Sequence, residues 1–140
     1  MKYYAVMDTN VLVSAMLKWD SVPGKVMDAV FDGVIIPVVN DEITAEYRTV
    51  LSRDKFSFPK EAIDTVLEFV YSNAVIVKAD KTSLEFIDPK DAVFYEVTIK
   101  ERETEDAYLV TGNSKHFPSE HYIVTPKQML DIISKSIKEF

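Results

Sequence analysis

Four polar positions in this chain border apolar runs in a way that suits chemistry: Asp8, Glu46, Asp91 and Asn113. Asp8 directly follows Tyr3-Tyr4-Ala5-Val6-Met7, and ligands of α/β sheets bind just beyond the carboxyl ends of such strands. The ordinary alternative is a helix cap, a role equally open to Asn10. Glu46 lies three residues after Ile43 and four before Val50, so it borders an apolar helical stripe. Burying a carboxylate is costly unless something compensates, although Arg48, Arg53 or a lysine could pair with it at an edge. In Asp88-Pro89-Lys90-Asp91, Asp88 reads as a cap and Asp91 as a first-turn acid, and the two could also face one cation. Thr111-Gly112-Asn113 is a turn after a strand, and Asn113 offers a neutral oxygen.

Each position alone has a structural explanation. Together they describe carboxylates converging on one sheet edge. Two such charges about 4 Å apart repel by ~4 kcal/mol at an effective dielectric of about 20. A divalent cation removes that repulsion, and an all-oxygen donor set suits Mg²⁺ or Mn²⁺. The segment Arg48, Arg53, Lys55 and Lys60 is the best basic patch for phosphates, with a solvated surface as its alternative. Trp19 could stack a base or simply pack. His116 and His121 read as loop residues and make a poor zinc site.

The elements that must position these residues alternate along the chain. Continuous apolar runs at 3–7, 34–39, 74–77, 107–111 and 122–124 read as strands, the first two of them buried. Pro37 marks an irregular spot in the second. Helical patterns fall at 9–17, 23–31, 40–52, from Pro59 on, at 88–99 and from Pro126 on. The core stripe of the third is Ile43, Tyr47, Val50 and Leu51, with Asn40 as cap. The last begins with Thr125-Pro126-Lys127-Gln128, a capping box, and carries Met129, Leu130, Ile133 and Ile137. Strands separated by helices make a parallel sheet with helices on both faces, in a single domain over 1–140.

Composition narrows the function. The 140 residues carry a net charge of −7, so non-specific binding of polyanions needs a local basic patch or a bound cation. Three scattered glycines, Gly24, Gly33 and Gly112, cannot build a dinucleotide or Walker loop. Zero cysteines exclude disulfides and thiol catalysis, which fits a reducing cytoplasm. No export signal or membrane span is expected.

The string Met7-Asp8-Thr9-Asn10-Val11-Leu12-Val13-Ser14-Ala15 resembles the opening of PIN-domain ribonucleases. So do Glu42 to Leu51, Asp88-Pro89-Lys90-Asp91 with its helix, and Tyr108 to Asn113, in the right order over nearly the whole chain. The branch it most resembles is the toxins of prokaryotic toxin–antitoxin modules. The resemblance implies an α/β/α sandwich whose five-stranded sheet is ordered 3-2-1-4-5, and endonucleolytic cleavage of single-stranded RNA with Mg²⁺ or Mn²⁺. It implies that Asp8, Glu46 and Asp91 are the catalytic metal-site acids and that Asn113 occupies a fourth position where many members carry Asp. Asn10 and Thr111 resemble residues that orient the cluster, and Asp88 or Asp106 could substitute for the missing acid. Arg48, Arg53 and Lys55 would guide the substrate. An antitoxin partner and a homodimer follow from the same resemblance, while a cytoplasmic location is expected from the lack of cysteine and of an export signal.

Two other classes stay open at this point. Asn113 favours a non-catalytic PIN-like module that binds RNA or a protein. An Asp after the first strand also occurs in aspartyl-phosphate phosphatases and receiver domains. Against the phosphatase, Asn10 occupies the place of its second Asp. Against the receiver, no paired acids follow the first strand.

Overall fold

The structure, a computed structural model, describes residues 2–138, with side chains described over 2–136. Five parallel strands form one sheet: β1 (Tyr3–Met7), β2 (Ile35–Val39), β3 (Val75–Ile76), β4 (Tyr108–Val110) and β5 (Ile123–Val124). Their order is β3-β2-β1-β4-β5, as the family resemblance implies. Six helices flank the sheet: α1 (Thr9–Leu17), α2 (Val22–Phe31), α3 (Asp41–Leu51), α4 (Lys60–Asn73), α5 (Ala92–Glu101) and α6 (Pro126–Lys138).

The chain lays down β1, β2 and β3 on one side and then returns to place β4 against β1. The order therefore reverses between β1 and β4, where Val6 pairs with Leu109 and Met7 with Val110. Loops leaving these two strands diverge and leave a crevice at their carboxyl ends. Ala5, Val6, Met7, Leu109 and Val110 are buried, so the strands that frame the crevice are held rigidly.

Pro37 sits inside β2 and pairs with Ala5 of β1. The Val77 N–H donates to Val39 O, so the odd-numbered residues of β2 face β3. The pairing with β3 starts only at Val38 opposite Val75, so the donor that Pro37 lacks would point beyond the start of that strand.

Helix starts follow the capping chemistry of the sequence. Asn40 accepts the Ile43 N–H at 2.8 Å, and Thr125 and Gln128 close a reciprocal box at 3.1 and 2.8 Å. Ile43, Tyr47, Val50 and Leu51 form the buried stripe of α3, while Met129 and Ile133 are buried on α6. Ile137, on the same pattern, lies outside the described side chains. Gly24 lets α2 start against the preceding turn, since a Cβ there would clash with the Trp19 carbonyl. The helix read from Asp88 opens instead as a single 3-10 turn, Pro89–Asp91, before α5. Asp88 caps this turn by accepting the Lys90 N–H at 3.0 Å.

Candidate active site

The crevice between β1 and β4 is lined first by Asp8. It stands at the N-cap of α1, but its side chain closes no cap hydrogen bond onto that helix. Its carboxylate instead accepts the hydroxyl of Thr111, the residue after β4, at 2.7 Å. The Asp8 N–H donates to Val110 O at 2.9 Å, which carries the strand ladder one residue further and fixes the backbone beneath the carboxylate. Both side chains are buried. Burial pushes the Asp8 carboxyl above the usual carboxylate range, and the Thr111 hydroxyl and the Asn10 and Thr9 backbone N–H groups pull the other way.

Asp91 comes to the same place from the 3-10 turn that starts α5. Its carboxyl is raised first by desolvation and then by the charges of Asp8 and Asp88. His116, at the end of a 3-10 turn (Ser114–His116) after β4, opposes that rise, with its Nδ1 3.5 Å from Asp91 Oδ2. The Asp8 charge thus reaches Asp91, and each of the two acids holds a destabilised negative charge.

Glu46 approaches from the helical side. Its neighbour Tyr47 is fully buried and donates its hydroxyl to the Met7 carbonyl, which bolts α3 to the end of β1. Burial and the nearby Asp8 charge both push the Tyr47 phenol strongly upward. Glu46 itself is half-buried and opens on a cleft of about 590 Å³ between α3 and α5. Pro89 and Lys90, beside Asp91, lie on the facing wall. Among the described residues, no three carboxylate, imidazole or thiol groups close round a single point.

The remaining candidates divide clearly. Thr111 is central, since its hydroxyl also accepts the Asn113 N–H at 3.0 Å. Asn113 is exposed, and its backbone carbonyl takes the His116 N–H. Asn10 is exposed on the first turn of α1. Asp106 precedes β4, so it stands at the amino end of that strand, the edge opposite Asp8. Arg48 is paired with Asp64 at 2.8 Å, and Lys60 shares that carboxylate at 2.9 Å. Lys55 lies over the Phe56 ring, and Arg53 is exposed. Trp19 packs against Phe31 with ring centroids 5.7 Å apart. Residue types and spacing gave no signal for His116 beside Asp91, because the contact depends on the turn after β4.

The family model described as PIN domain matches residues 4–115. The chain belongs to the PIN-domain family. Its match spans the strands and turns that carry Asp8, Glu46, Asp91 and Thr111. No curated protein and no solved structure matches the chain. PIN domains are generally nucleases and typically use divalent metals, so a hydrolase activity attaches to this PIN domain at that coarse level. No helix among the described residues is long and apolar enough to cross a membrane.

The residues at the crevice fit such a cation. The donor set is oxygen-rich, and the two carboxyls that meet there are both raised by burial, with Asp8 adding to the rise of Asp91. Next to Asp8, the buried Thr9 hydroxyl has no partner among the described residues. A positive charge would relieve the repulsion that the protein alone leaves standing.

Proposed function

We propose that this PIN domain is a Mg²⁺- or Mn²⁺-dependent endoribonuclease of single-stranded RNA, acting as the toxin of a toxin–antitoxin pair. The observation that carries the reading is the placing of the buried Asp8, bonded to Thr111, at the point where strand order reverses, with Asp91 near enough for the Asp8 charge to raise its carboxyl. Asp8 and Asp91 would hold the ion, with Glu46 from the cleft side and the neutral Asn113 oxygen as the fourth position. When bound, the cation supplies Lewis acidity toward water and toward the scissile phosphate.

The chain's own residues do the rest. Thr111 fixes one oxygen of the Asp8 carboxylate with a hydrogen bond from its hydroxyl. His116 steadies the Asp91 carboxylate from the β4 side. Water adds at phosphorus, the bond from phosphorus to the 3′-oxygen breaks, and the products carry a 5′-phosphate and a 3′-hydroxyl. The proton from water leaves to solvent, and the 3′-oxygen gains one.

Family membership supports the antitoxin partner, the homodimer and the cytoplasmic setting as parts of the same proposal. A second reading, a PIN-like module that binds RNA without turnover, is favoured by Asn113, which brings no charge. The test is an end-labelled single-stranded RNA incubated with Mn²⁺, with Mg²⁺ and with chelator. Metal-dependent cleavage that Asp8→Asn abolishes supports the enzyme; binding without cleavage in every metal supports the module.

A further inference from the structure

We infer that Glu96 is a positioning residue for Asp91, acting through the connection between β3 and α5; this rests on the reading of Asp91 as a cation ligand. Residues 77–88 form neither helix nor strand, yet they deliver the turn that presents Asp91. Two consecutive residues of α5 catch this connection. The Glu96 carboxylate accepts the Thr82 N–H at 2.8 Å, and the Tyr95 ring meets Phe86 with centroids 5.6 Å apart. The segment before Asp91 is therefore fastened to the helix after it, and Asp91 lies inside a loop closed across 14 positions.

Glu96 is an unusual choice for that place. Its side chain is only 6% exposed. An apolar side chain would fill the same volume without the desolvation cost of a charge. What the carboxylate adds is a charge-assisted bond aimed at one amide of the connection. The Lys81 ammonium stands 3.9 Å from Glu96 and 4.0 Å from Glu42 on α3, so it spans the cleft that has Glu46 on its other wall. Phe86 also meets Phe117, next to His116, at 5.9 Å. Losing Glu96 would leave the aromatic anchor in place, so the fold should survive while the 88–91 turn loosens.

The experiment measures Mn²⁺ affinity by electron paramagnetic resonance of the free ion, and hydrogen exchange at the Thr82 amide, in the full chain. Glu96→Ala should speed Thr82 exchange and weaken Mn²⁺ binding on the order of 10-fold, as removing the support behind a metal ligand does. Glu96→Gln keeps an oxygen for the amide and should stay close to wild type. Glu101→Ala alters the other buried glutamate of α5, which meets Thr104, and should lower the melting temperature with Mn²⁺ affinity unchanged. Thr82→Pro removes the donor while leaving α5 intact, and should reproduce the Mn²⁺ loss if Glu96→Ala does not fold. Unchanged Mn²⁺ affinity in Glu96→Ala with a freed Thr82 amide would overturn the inference, as would an equal Mn²⁺ loss in Glu101→Ala. If wild type binds no Mn²⁺, or Asp8→Asn binds it equally well, the cation reading itself fails and the role toward Asp91 falls with it; Thr82 exchange then still reports whether Glu96 holds the connection.

Discussion

The Thr111 hydroxyl donates to the Asp8 carboxylate at 2.7 Å, joining residues 103 positions apart at the seam where β1 meets β4. The bond ties the two strand ends together and orients the Asp8 carboxylate. Thr111→Val keeps the shape and removes the donor. It should destabilise the protein by about 1–3 kcal/mol near neutral pH, the usual cost of a buried polar group left unsatisfied. Thr111→Ser should recover most of that loss in thermal melts followed by circular dichroism.

The charge at the crevice gives a pH dependence of defined sign. In the folded state the carboxyls of Asp8 and Asp91 both titrate above the ordinary aspartate value of 3.8. Such groups bind more protons folded than unfolded between their unfolded and folded pKa values, so stability rises as pH falls through the folded pKa. Metal-free protein should therefore melt higher as the pH is lowered from neutral toward the ordinary carboxylate range. Glu101, also raised, adds in the same direction. Asp64 is lowered by Lys60 and Arg48, so its contribution is lost only at more acid pH.

Asp8→Asn should flatten that pH dependence and melt at or slightly above wild type at neutral pH without metal. An amide oxygen can still accept from Thr111 and from the Thr9 and Asn10 N–H groups at the start of α1, while the buried charge is removed. Differential scanning calorimetry with and without Mn²⁺ reads both halves: the variant should also lose the metal-induced rise. A large drop in melting temperature would mean that the carboxylate serves the fold.

Much of this fold can be read from the chain before any coordinates. The apolar run Tyr3 to Met7 gives way at Asp8 to a helical pattern, which marks the strand end, and the Asn40 and Thr125 caps mark helix starts by simple hydrogen-bond chemistry. The irregular spot expected at Pro37 does not appear: β2 runs unbroken through it, because the pairing with β3 starts only at Val38. The candidate acids at strand and helix ends are legible for the same reason: parallel α/β order puts those ends on one edge. His116 and Glu96 are not legible. Their roles depend on how two irregular connections fold back, and no periodicity or cap pattern encodes that. Asp106 shows the converse, since closeness in sequence to β4 says nothing about which end of the strand it occupies.

Binding of the RNA strand separates two sets of cations. Arg48 is bonded to Asp64 at 2.8 Å, and Lys60 shares that carboxylate, whereas Lys90 lines the cleft beside Glu46 together with Lys81, whose ammonium stands 3.9 and 4.0 Å from Glu96 and Glu42. In the cleavage-defective Asp8→Asn background, Lys81→Ala with Lys90→Ala should weaken binding and reduce the salt slope by about 0.7 for each phosphate no longer neutralised. A fall of that size in Arg48→Ala with Arg53→Ala instead would place the strand over the end of α3.

Asn113→Asp restores a charge at the fourth position. It should raise Mn²⁺ affinity and, where the site is a working nuclease centre, the cleavage rate. The exposed side chain makes the change cheap for the fold, so melting temperatures without metal should stay close to wild type. Titration calorimetry with Mn²⁺ checks the affinity directly.

The most direct measurement is the initial rate of single-stranded RNA cleavage against Mn²⁺ concentration, for wild type, Asp8→Asn and Asp91→Asn. Wild type should show a saturable, chelator-sensitive rate, half-saturating where Mn²⁺ raises the melting temperature, and neither variant should cleave. A wild-type rate indifferent to Mn²⁺, or cleavage that persists in Asp8→Asn, would contradict a metal-dependent nuclease centre built on these two acids.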